Sequence, residues 1–526
     1  MAKKRNVSSS MFWADQIARK IVSERGNKKQ YVCAAGITPS GTIHIGNFRE
    51  IITVDIVARA LRDLGKKVRF IYSWDDYDRL RKVPKNVPDR KKTEGFLLRP
   101  IIKTPDPWGC HKSYAEHFEK EVEEALPSLG IEPEFISQAG MYGRCAYTEE
   151  IKVALKKKAK IMEILNKYRK EPLAKDWMPI RIYCEKCGYE STKPESWDGG
   201  YVVSYSCRCG HRGTLDFSRK GLAKLPWRVD WPMRWSYEKV DFEPGGKEHS
   251  TPGGSRTVGA EISKQVYGYE PPVYQMYDFI ILSSGGKMSS SEGNLLSIKQ
   301  VTGIYMPEVL RFLFAGTKPK REFAIPVDED IFKVYEDFYQ TERVYYRKEK
   351  ADKKTRTQKG RIYELSCIGK PAKAMPVQVN FRHAVTLMNI YQDAGRALSK
   401  MKESMKMGKP DEERCRRILE CAKNWTGRHA PDRFRFELQE TPKARLDAKE
   451  KEAILMLVDA LENEKLDEES LFNRFYDICK KAGIKNTDFF RAVYRVLIAQ
   501  EQGPRLAPFI LAIGREKAAK ILRQVK

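Results

Sequence analysis

The chain has 526 residues, 41% of them hydrophobic, and its 97 Lys and Arg outnumber 70 Asp and Glu to give a formal net charge of +27. This length can bury several cores, on the order of three to four domains, and the basic excess suits a polyanion, either nucleic acid or an anionic membrane surface. No stretch reaches the roughly 20 consecutive apolar residues of a membrane span, and the basic, polar Met1–Ser10 lacks the apolar core of a secretory signal, so the expected compartment is the cytoplasm and no membrane partner is expected.

Tyr31–Gly36 is a short apolar run ending in Thr38-Pro39-Ser40-Gly41, which reads as a strand and a turn. From Ile43 to Leu64 the apolar residues Ile45, Phe48, Ile52, Ile56 and Ala60 recur at helical spacing, and Gly65 ends the helix. Val68–Trp74 is a second strand. Strand, helix and strand in this order predict a parallel sheet with a right-handed crossover. From Pro100 to Trp235 the chain is rich in Pro, Gly, Cys, His and Trp, and carries a basic helix over Glu149–Lys170 between two Cys/His clusters. This segment reads as an insertion in the sheet domain. Strand character returns at Val273–Leu282, followed by a loop over Ser283–Asn294 and helical pattern through Phe314. Beyond Val327 the spacing is helical in Asp328–Lys348, Arg382–Met405, Asp447–Asn463, Leu466–Ala482 and Asp488–Gln500, with a basic linker at Lys350–Arg361.

The predicted architecture is therefore an α/β Rossmann-type parallel-sheet domain with a zinc-binding α/β insertion, followed by an all-α C-terminal region. The expected boundaries are 1–99 for the first half of the sheet domain, 100–235 for the insertion, 236–327 for the second half, and 328–526 for the helical region.

Two loops follow predicted strands, where open parallel sheets place their ligands. In the first, glycines allow close backbone approach, and the amides of the next helix favour anions. His44 and Asn47 are three residues apart, share a face of the first turn, and can both donate to phosphate oxygens. In the second, Gly285-Gly286-Lys287-Met288-Ser289-Ser290-Ser291, Lys287 offers a point charge and the serines offer hydroxyl donors. Singly, each suits an ordinary capped helix or a surface loop; together they suit a nucleotide. A Walker-type phosphate loop is absent, which disfavours a P-loop ATPase.

Eleven cysteines in a reducing compartment point to metal binding rather than disulfides where they cluster. Cys184-x2-Cys187 and Cys207-x-Cys209 have the spacing of a small zinc ribbon, with His211 as an alternative to Cys209 for the fourth ligand. Asp106, Cys110, His111 and His117 form a second group of suitable ligand types at an unusual spacing. Cys33, Cys145, Cys367, Cys415, Cys421 and Cys479 stand alone and read as buried thiols.

Pro39-Ser40-Gly41-Thr42-Ile43-His44-Ile45-Gly46-Asn47 resembles the HIGH motif of class I aminoacyl-tRNA synthetases, with Asn47 in the last place. Lys287-Met288-Ser289-Ser290-Ser291 resembles their KMSKS motif, with Ser290 where many members carry lysine. Ala34–Gly41, Ser73–Asp78, Asp106–His111 and Trp227–Trp235 together resemble the class I lysyl-tRNA synthetases. The resemblance implies that ATP, with Mg²⁺ bridging its phosphates, meets Pro39, Ser40, Gly41, His44, Gly46, Asn47, Lys287, Met288, Ser289, Ser290 and Ser291. His44, Asn47 and Lys287 would be the catalytic residues. It places Gly36, Thr38, Trp227 (favoured over Trp231), His249 and Tyr277 near L-lysine, and zinc at both Cys/His groups as a structural ion. It implies lysyl-adenylate formation, transfer to the 2′-OH of the terminal ribose of tRNA(Lys), and an anticodon-reading helical tail. Asp75, Asp76 and Asp78 are further candidates for an ammonium, or else a solvated loop or helix cap. Two other readings compete: a different class I synthetase, such as a cysteinyl enzyme with an open zinc shell, and a non-catalytic zinc and RNA-binding paralogue. No Ser/His/Asp or Cys/His nucleophile set is present, and this chemistry needs none.

Overall fold

The computed structural model describes residues 12–281 and 295–525. They group into two compact units. The first comprises the chain up to Thr302 with Leu310–Ile325 and Ala351–Pro371; the second comprises Gly303–Val309, Pro326–Lys350 and the chain from Ala372. Among the described residues no helix is long and apolar enough to cross a membrane.

The first unit opens with α1 (Trp13–Arg25), β1 (Tyr31–Ile37), α2 (Ile45–Asp63) and β2 (Val68–Trp74). β1 and β2 run parallel, in register from Tyr31 opposite Val68 to Ile37 opposite Trp74. The first five residues of β1 are all buried, as a central parallel strand covered on both faces requires. Gly65 has φ +77°, a conformation other residues adopt only at a cost, and this ends the crossover helix. After α3 (Tyr114–Ala125) and β3 (Glu134–Ser137) the chain runs through α4 (Thr148–Lys156) and α5 (Lys158–Asn166). The single basic helix expected over Glu149–Lys170 is thus two helices. They break at Lys157, whose ammonium donates to the carbonyls of Gln265 and Val266.

A three-stranded antiparallel ribbon follows: β4 (Thr192–Trp197), β5 (Val202–Cys207) and β6 (Arg212–Asp216). Then come α6 (Trp227–Glu238), β7 (Phe242–Gly246), α7 (Ser255–Gln265) and β8 (Val273–Tyr277). The main sheet has the order β8-β7-β1-β2-β3 and every pairing is parallel. The chain winds outward from β1 to β3, then returns to β7 on the other side of β1. This reversal opens a crevice beyond the carboxyl ends of β1 and β7, the place where doubly wound sheets bind ligands.

The stretch read as a linker at Lys350–Arg361 lies largely in a helix, Lys353–Ser366, that belongs to this first unit. Asp352 caps it, and Arg361 pairs with Asp15 and Asp63. Its apolar residues Ile362, Tyr363 and Leu365 are buried. The basic composition belongs to its exposed face, which is why the sequence resembled a tether.

The second unit is helical: α8 (Ile331–Tyr345), α9 (Phe381–Tyr391), α10 (Ala394–Ser404), α11 (Lys409–Arg428), α12 (Ala448–Asn463), α13 (Glu468–Ala482), α14 (Asn486–Ile498), α15 (Leu506–Ile513) and α16 (Arg515–Leu522). Arg382–Met405 reads as one helix in sequence and is two here. Gln392 turns into the left-handed region at φ 57°, and the Asp393 side chain then accepts the Arg396 N–H to start α10. Trp425 on α11 is fully buried, and its Nε1 donates to the Val327 carbonyl.

Candidate active site

The crevice between β1 and β7 is a cleft of about 500 Å³. Twelve residues from the turn after β1, α6 and β7–β8 had been singled out from sequence or flank such residues, and the cleft gathers them: Gly36, Thr38, Ser40, Gly41, Thr42, Ile43, His44, Asn47, Trp227, Trp231, His249 and Tyr277 all line it. Pro39 and Gly46 belong to the same turn without lining the cleft. Lys287, Met288, Ser289, Ser290 and Ser291 lie outside the described residues.

The turn is built by the start of α2. His44 is its N-cap: its Nδ1 accepts the Gly46 N–H at 3.0 Å, and the Asn47 Oδ1 accepts the His44 N–H at 3.2 Å. With Nδ1 accepting, a neutral imidazole carries its proton on Nε2, which is a donor. The Asn47 amide keeps its NH₂ for donation. Both side chains sit where the helix dipole is positive. The backbone after Asn294 closes on the same turn, with the Ile45 N–H donating to the Leu296 carbonyl and His44 bridging to Ser297. Gly36 is a packing necessity, since a Cβ there would lie 2.9 Å from the Ser73 carbonyl oxygen on β2.

Glu50 is the residue that the sequence reading missed. It stands three residues beyond Asn47 on α2, the same spacing that joins Asn47 to His44, and it lines the cleft. Its Oε1 accepts the Gly36 N–H at 3.0 Å and its Oε2 accepts the Tyr277 hydroxyl at 2.6 Å. Glu50 therefore ties the end of β1 to the end of β8. Burial pushes its carboxyl up to about 8, outweighing these two hydrogen bonds. The signal was available in the spacing, yet a lone Glu on an amphipathic helix more often faces solvent.

Aromatic rings form one wall. Trp227 and Trp231 on α6 are stacked with centroids 5.3 Å apart, and His249 lies 5.8 Å from Trp231. Trp231 donates its indole N–H to Glu243 at 3.0 Å, and Trp235 donates to the other oxygen of that carboxylate. Glu243 is buried and its carboxyl is raised by that burial. Glu248 stands at the exposed rim of the same cleft. Among the described residues, none of Glu50, Glu243 and Glu248 has a cationic side chain within ion-pair distance. The cleft thus sets carboxyls without an ion-pair partner beside an apolar wall, and burial favours the neutral form of Glu50 and Glu243.

Asp75, Asp76 and Asp78 are placed differently. Arg234 pairs with Asp75 at 2.6 Å and with Asp230 at 3.4 Å; Lys224 pairs with Asp78 at 2.6 Å. Asp76 accepts from the Ser137 hydroxyl and the Ala139 N–H. All three carboxylates are occupied by protein partners. Arg234 also lies over the Trp227 ring, 5.4 Å from its centroid.

Among the described residues, two side-chain groups could hold a metal ion. The thiols of Cys184, Cys187, Cys207 and Cys209 lie within 4.8 Å of one another, with Cys184 Sγ 3.8 Å from Cys209 Sγ and Cys187 Sγ 3.7 Å from Cys207 Sγ. His211 stands outside this group. Asp106, Cys110, His111 and His117 form the second, with Cys110 Sγ 3.0 Å from His111 Nδ1 and 3.2 Å from His117 Nδ1. Trp108 stacks on His117 at 4.0 Å and braces that ring. Of the isolated cysteines, Cys33, Cys367, Cys415, Cys421 and Cys479 are buried, while Cys145 is half-buried.

Over residues 11–369 the chain matches the family described as tRNA synthetases class I (K), and over residues 412–526 it matches the anticodon binding domain. It is 45% identical to a lysine–tRNA ligase of Borreliella burgdorferi, over 97% of this chain and 98% of that one. It is 42% identical to the lysine–tRNA ligase of Treponema pallidum, over 98% of both chains. The same identity holds for that of Pyrococcus horikoshii, over 97% of this chain and 99% of that one. A likeness that runs nearly end to end in bacterial and archaeal relatives alike, over a doubly wound sheet whose crevice carries the turn of His44 and Asn47, means that the chain belongs to the class I lysyl-tRNA synthetase family.

Proposed function

We propose that this protein is a lysine–tRNA ligase that works in the cytoplasm, activating L-lysine with ATP and passing it to tRNA(Lys). The observation that carries the choice of amino acid is the pair of Glu50 and Tyr277 beside the stacked indoles. Lysine brings two ammonium groups, one carboxylate and a four-carbon stem. A half-buried carboxylate without an ion-pair partner suits an ammonium, and Trp227 and Trp231 offer a slot for the stem, with ring faces that also attract cations. Gly36, Thr38, His249 and Tyr277 complete the lysine side of the cleft.

In the first step the lysine carboxylate attacks the α-phosphorus of ATP, and the bond to the bridging oxygen breaks to release pyrophosphate. The protein supplies position and donors for charge spread over the phosphates. His44 Nε2 and the Asn47 amide would donate to phosphate oxygens, alongside the turn Pro39-Ser40-Gly41 and Gly46. Lys287, with Met288, Ser289, Ser290 and Ser291, would meet the charge on the departing pyrophosphate. Mg²⁺ enters as the counter-ion of ATP. In the second step the 2′-OH of the tRNA terminal ribose attacks the carbonyl carbon of lysyl-adenylate and AMP leaves.

Both metal-capable groups suit zinc. A tetrahedral shell with Zn–S bonds near 2.3 Å has S···S edges of about 3.8 Å, and the paired thiols stand at 3.8 and 3.7 Å. We assign Cys184, Cys187, Cys207 and Cys209 to one Zn²⁺, and Asp106, Cys110, His111 and His117 to a second. Each set fills four positions, so both ions would be structural. A cysteinyl enzyme would need an active-site zinc with an open position to grip the substrate thiolate. Elemental analysis of the purified protein should find two zinc ions per chain, with one lost in Cys184→Ser.

The deciding experiment is ATP–pyrophosphate exchange with each of the twenty amino acids, with and without tRNA. Exchange with lysine alone, lost on Lys287→Ala, is the expected result. Exchange with a different amino acid would overturn the pocket assignment, and no exchange with RNA binding retained would point to a non-catalytic RNA-binding protein.

A further inference from the structure

The indole wall of the cleft hangs on a residue whose type is out of place. β7 is buried along its whole length, and a covered parallel strand is ordinarily apolar, yet its second residue is Glu243. A buried carboxylate needs donors to offset its lost hydration. Each oxygen of Glu243 has one: Trp231 Nε1 donates to Oε1 at 3.0 Å, and Trp235 Nε1 donates to Oε2. Burial raises the carboxyl, while the two indoles and the more distant Arg234 and Arg256 favour its ionised form. Trp227, Trp231 and Trp235 stand at four-residue spacing on one face of α6. They form a ladder of rings with centroids 5.3 Å and then 4.7 Å apart. Arg256 of α7 closes its far end, 4.9 Å from the Trp235 centroid and 4.9 Å from that of Tyr274. Gly259 leaves room there, since a Cβ would lie 3.1 Å from the Trp235 ring. At the near end Trp227 lines the cleft, and among the described residues its indole N–H has no hydrogen-bond partner. Its ring is held by the stack on Trp231 and by Arg234, which lies over it.

We propose that Glu243 is a positioning residue for the amino acid: by holding Trp231 it fixes Trp227, the ring that meets the aliphatic stem. This assignment rests on the reading of the protein as a lysine–tRNA ligase. A ring face ordered before the substrate arrives lowers the ordering cost of binding. The effect therefore belongs to affinity for lysine rather than to the chemical step at the α-phosphorus. Glu243 acts through the rings, and Glu50 is the carboxyl that meets an ammonium. Glu243→Gln separates these roles without changing shape. A carboxamide has one accepting oxygen and one donating NH₂, and an indole only donates, so whichever way the amide turns, one indole faces a donor. Trp235 is 1% and Trp231 6% exposed. Leaving the deeper N–H unmatched costs more, so the amide oxygen stays with Trp235 and Trp231 is released.

The test is a double-mutant cycle of Glu243→Gln and Trp231→Phe in the full-length protein. It is read by ATP–pyrophosphate exchange with tRNA present, and by near-ultraviolet circular dichroism without substrates. Glu243→Gln should raise KM for lysine by about tenfold, leave kcat and KM for ATP nearly unchanged, and alter the dichroism of the stacked indoles. In the Trp231→Phe background there is no N–H to lose at that ring, so the same change should move neither KM nor the spectrum. An equal rise in KM in both backgrounds would overturn the proposal, because Glu243 would then act on the substrate itself. An unchanged KM in the single variant would overturn it as well. A wild type that fails to exchange with lysine under any condition would instead sink the function proposed above, and the dichroism would still report whether Glu243 holds the rings.

Discussion

Two sets of carboxylates lie in or beside the same cleft and behave differently. Asp75, Asp78 and Asp230 are ion-paired within the protein with Arg234 and Lys224. Glu50 and Glu243 receive hydrogen bonds only from neutral donors: a peptide N–H, a tyrosine hydroxyl and two indoles. Ionised carboxylates are costly to bury without a counter-charge, so the first set keeps cations beside it, while burial raises the Glu50 and Glu243 carboxyls and favours their neutral form. The contrast separates scaffold from site on charge balance alone. It also explains why Asp75 and Asp78, which look suited to an ammonium in sequence, do not carry the argument for lysine.

The largest expected effect lies in the paired set. Arg234→Met leaves Asp75 and Asp230 buried without their partner and should destabilise the protein by about 3–5 kcal/mol, read from urea unfolding. Adding Asp75→Asn should recover part of that loss. A double variant as unstable as the sum of the single variants would break the distinction between the two sets. Next comes Glu50→Gln, which preserves shape and should leave unfolding near wild type. It should lower kcat/KM for lysine by about a hundredfold or more, the usual loss when one partner of a desolvated charged pair is removed. Equal activity would move ammonium recognition to Glu243 or Glu248.

A pH profile sharpens the same point. Burial raises the Glu50 carboxyl to about 8, so near neutral pH it is mainly protonated, and binding an ammonium favours its ionised form. Lysine binding should release a proton, and KM for lysine should fall as pH rises from 7 towards 8, by up to about tenfold per unit, then level off. Tyr277 and the Gly36 N–H favour the ionised form, while Glu243 and Glu248 oppose it. Glu50→Gln should flatten the profile. The smallest change is Tyr277→Phe, which removes one hydrogen bond to Glu50 and should raise KM about tenfold or less, with kcat nearly unchanged.

Several of these elements are legible in one dimension because their determinants are local. The run Tyr31–Ile37, the helical spacing after Ile43 and the stop at Gly65 are written in consecutive residues, and the strands and crossover helix stand where that pattern puts them. The turn of His44 and Asn47 and the cysteine pairs are short motifs of the same kind. The linker at Lys350–Arg361 misled because the partners of Arg361, buried Asp15 and exposed Asp63, lie some three hundred positions away. The break at Gln392 was missed because a positive φ in a non-glycine residue leaves no compositional mark.

Sequence by itself determined the class of sheet, the helical tail, the capped turn of His44 and Asn47 and the grouping of the cysteine pairs, since periodicity, capping and residue spacing act over a few residues. Only the tertiary structure decided that Cys209 rather than His211 joins the four-thiol group, that Asp75 and Asp78 already have cations, and that Glu50 does not. Charge compensation depends on which distant strands and helices share a cleft, and no local pattern encodes that.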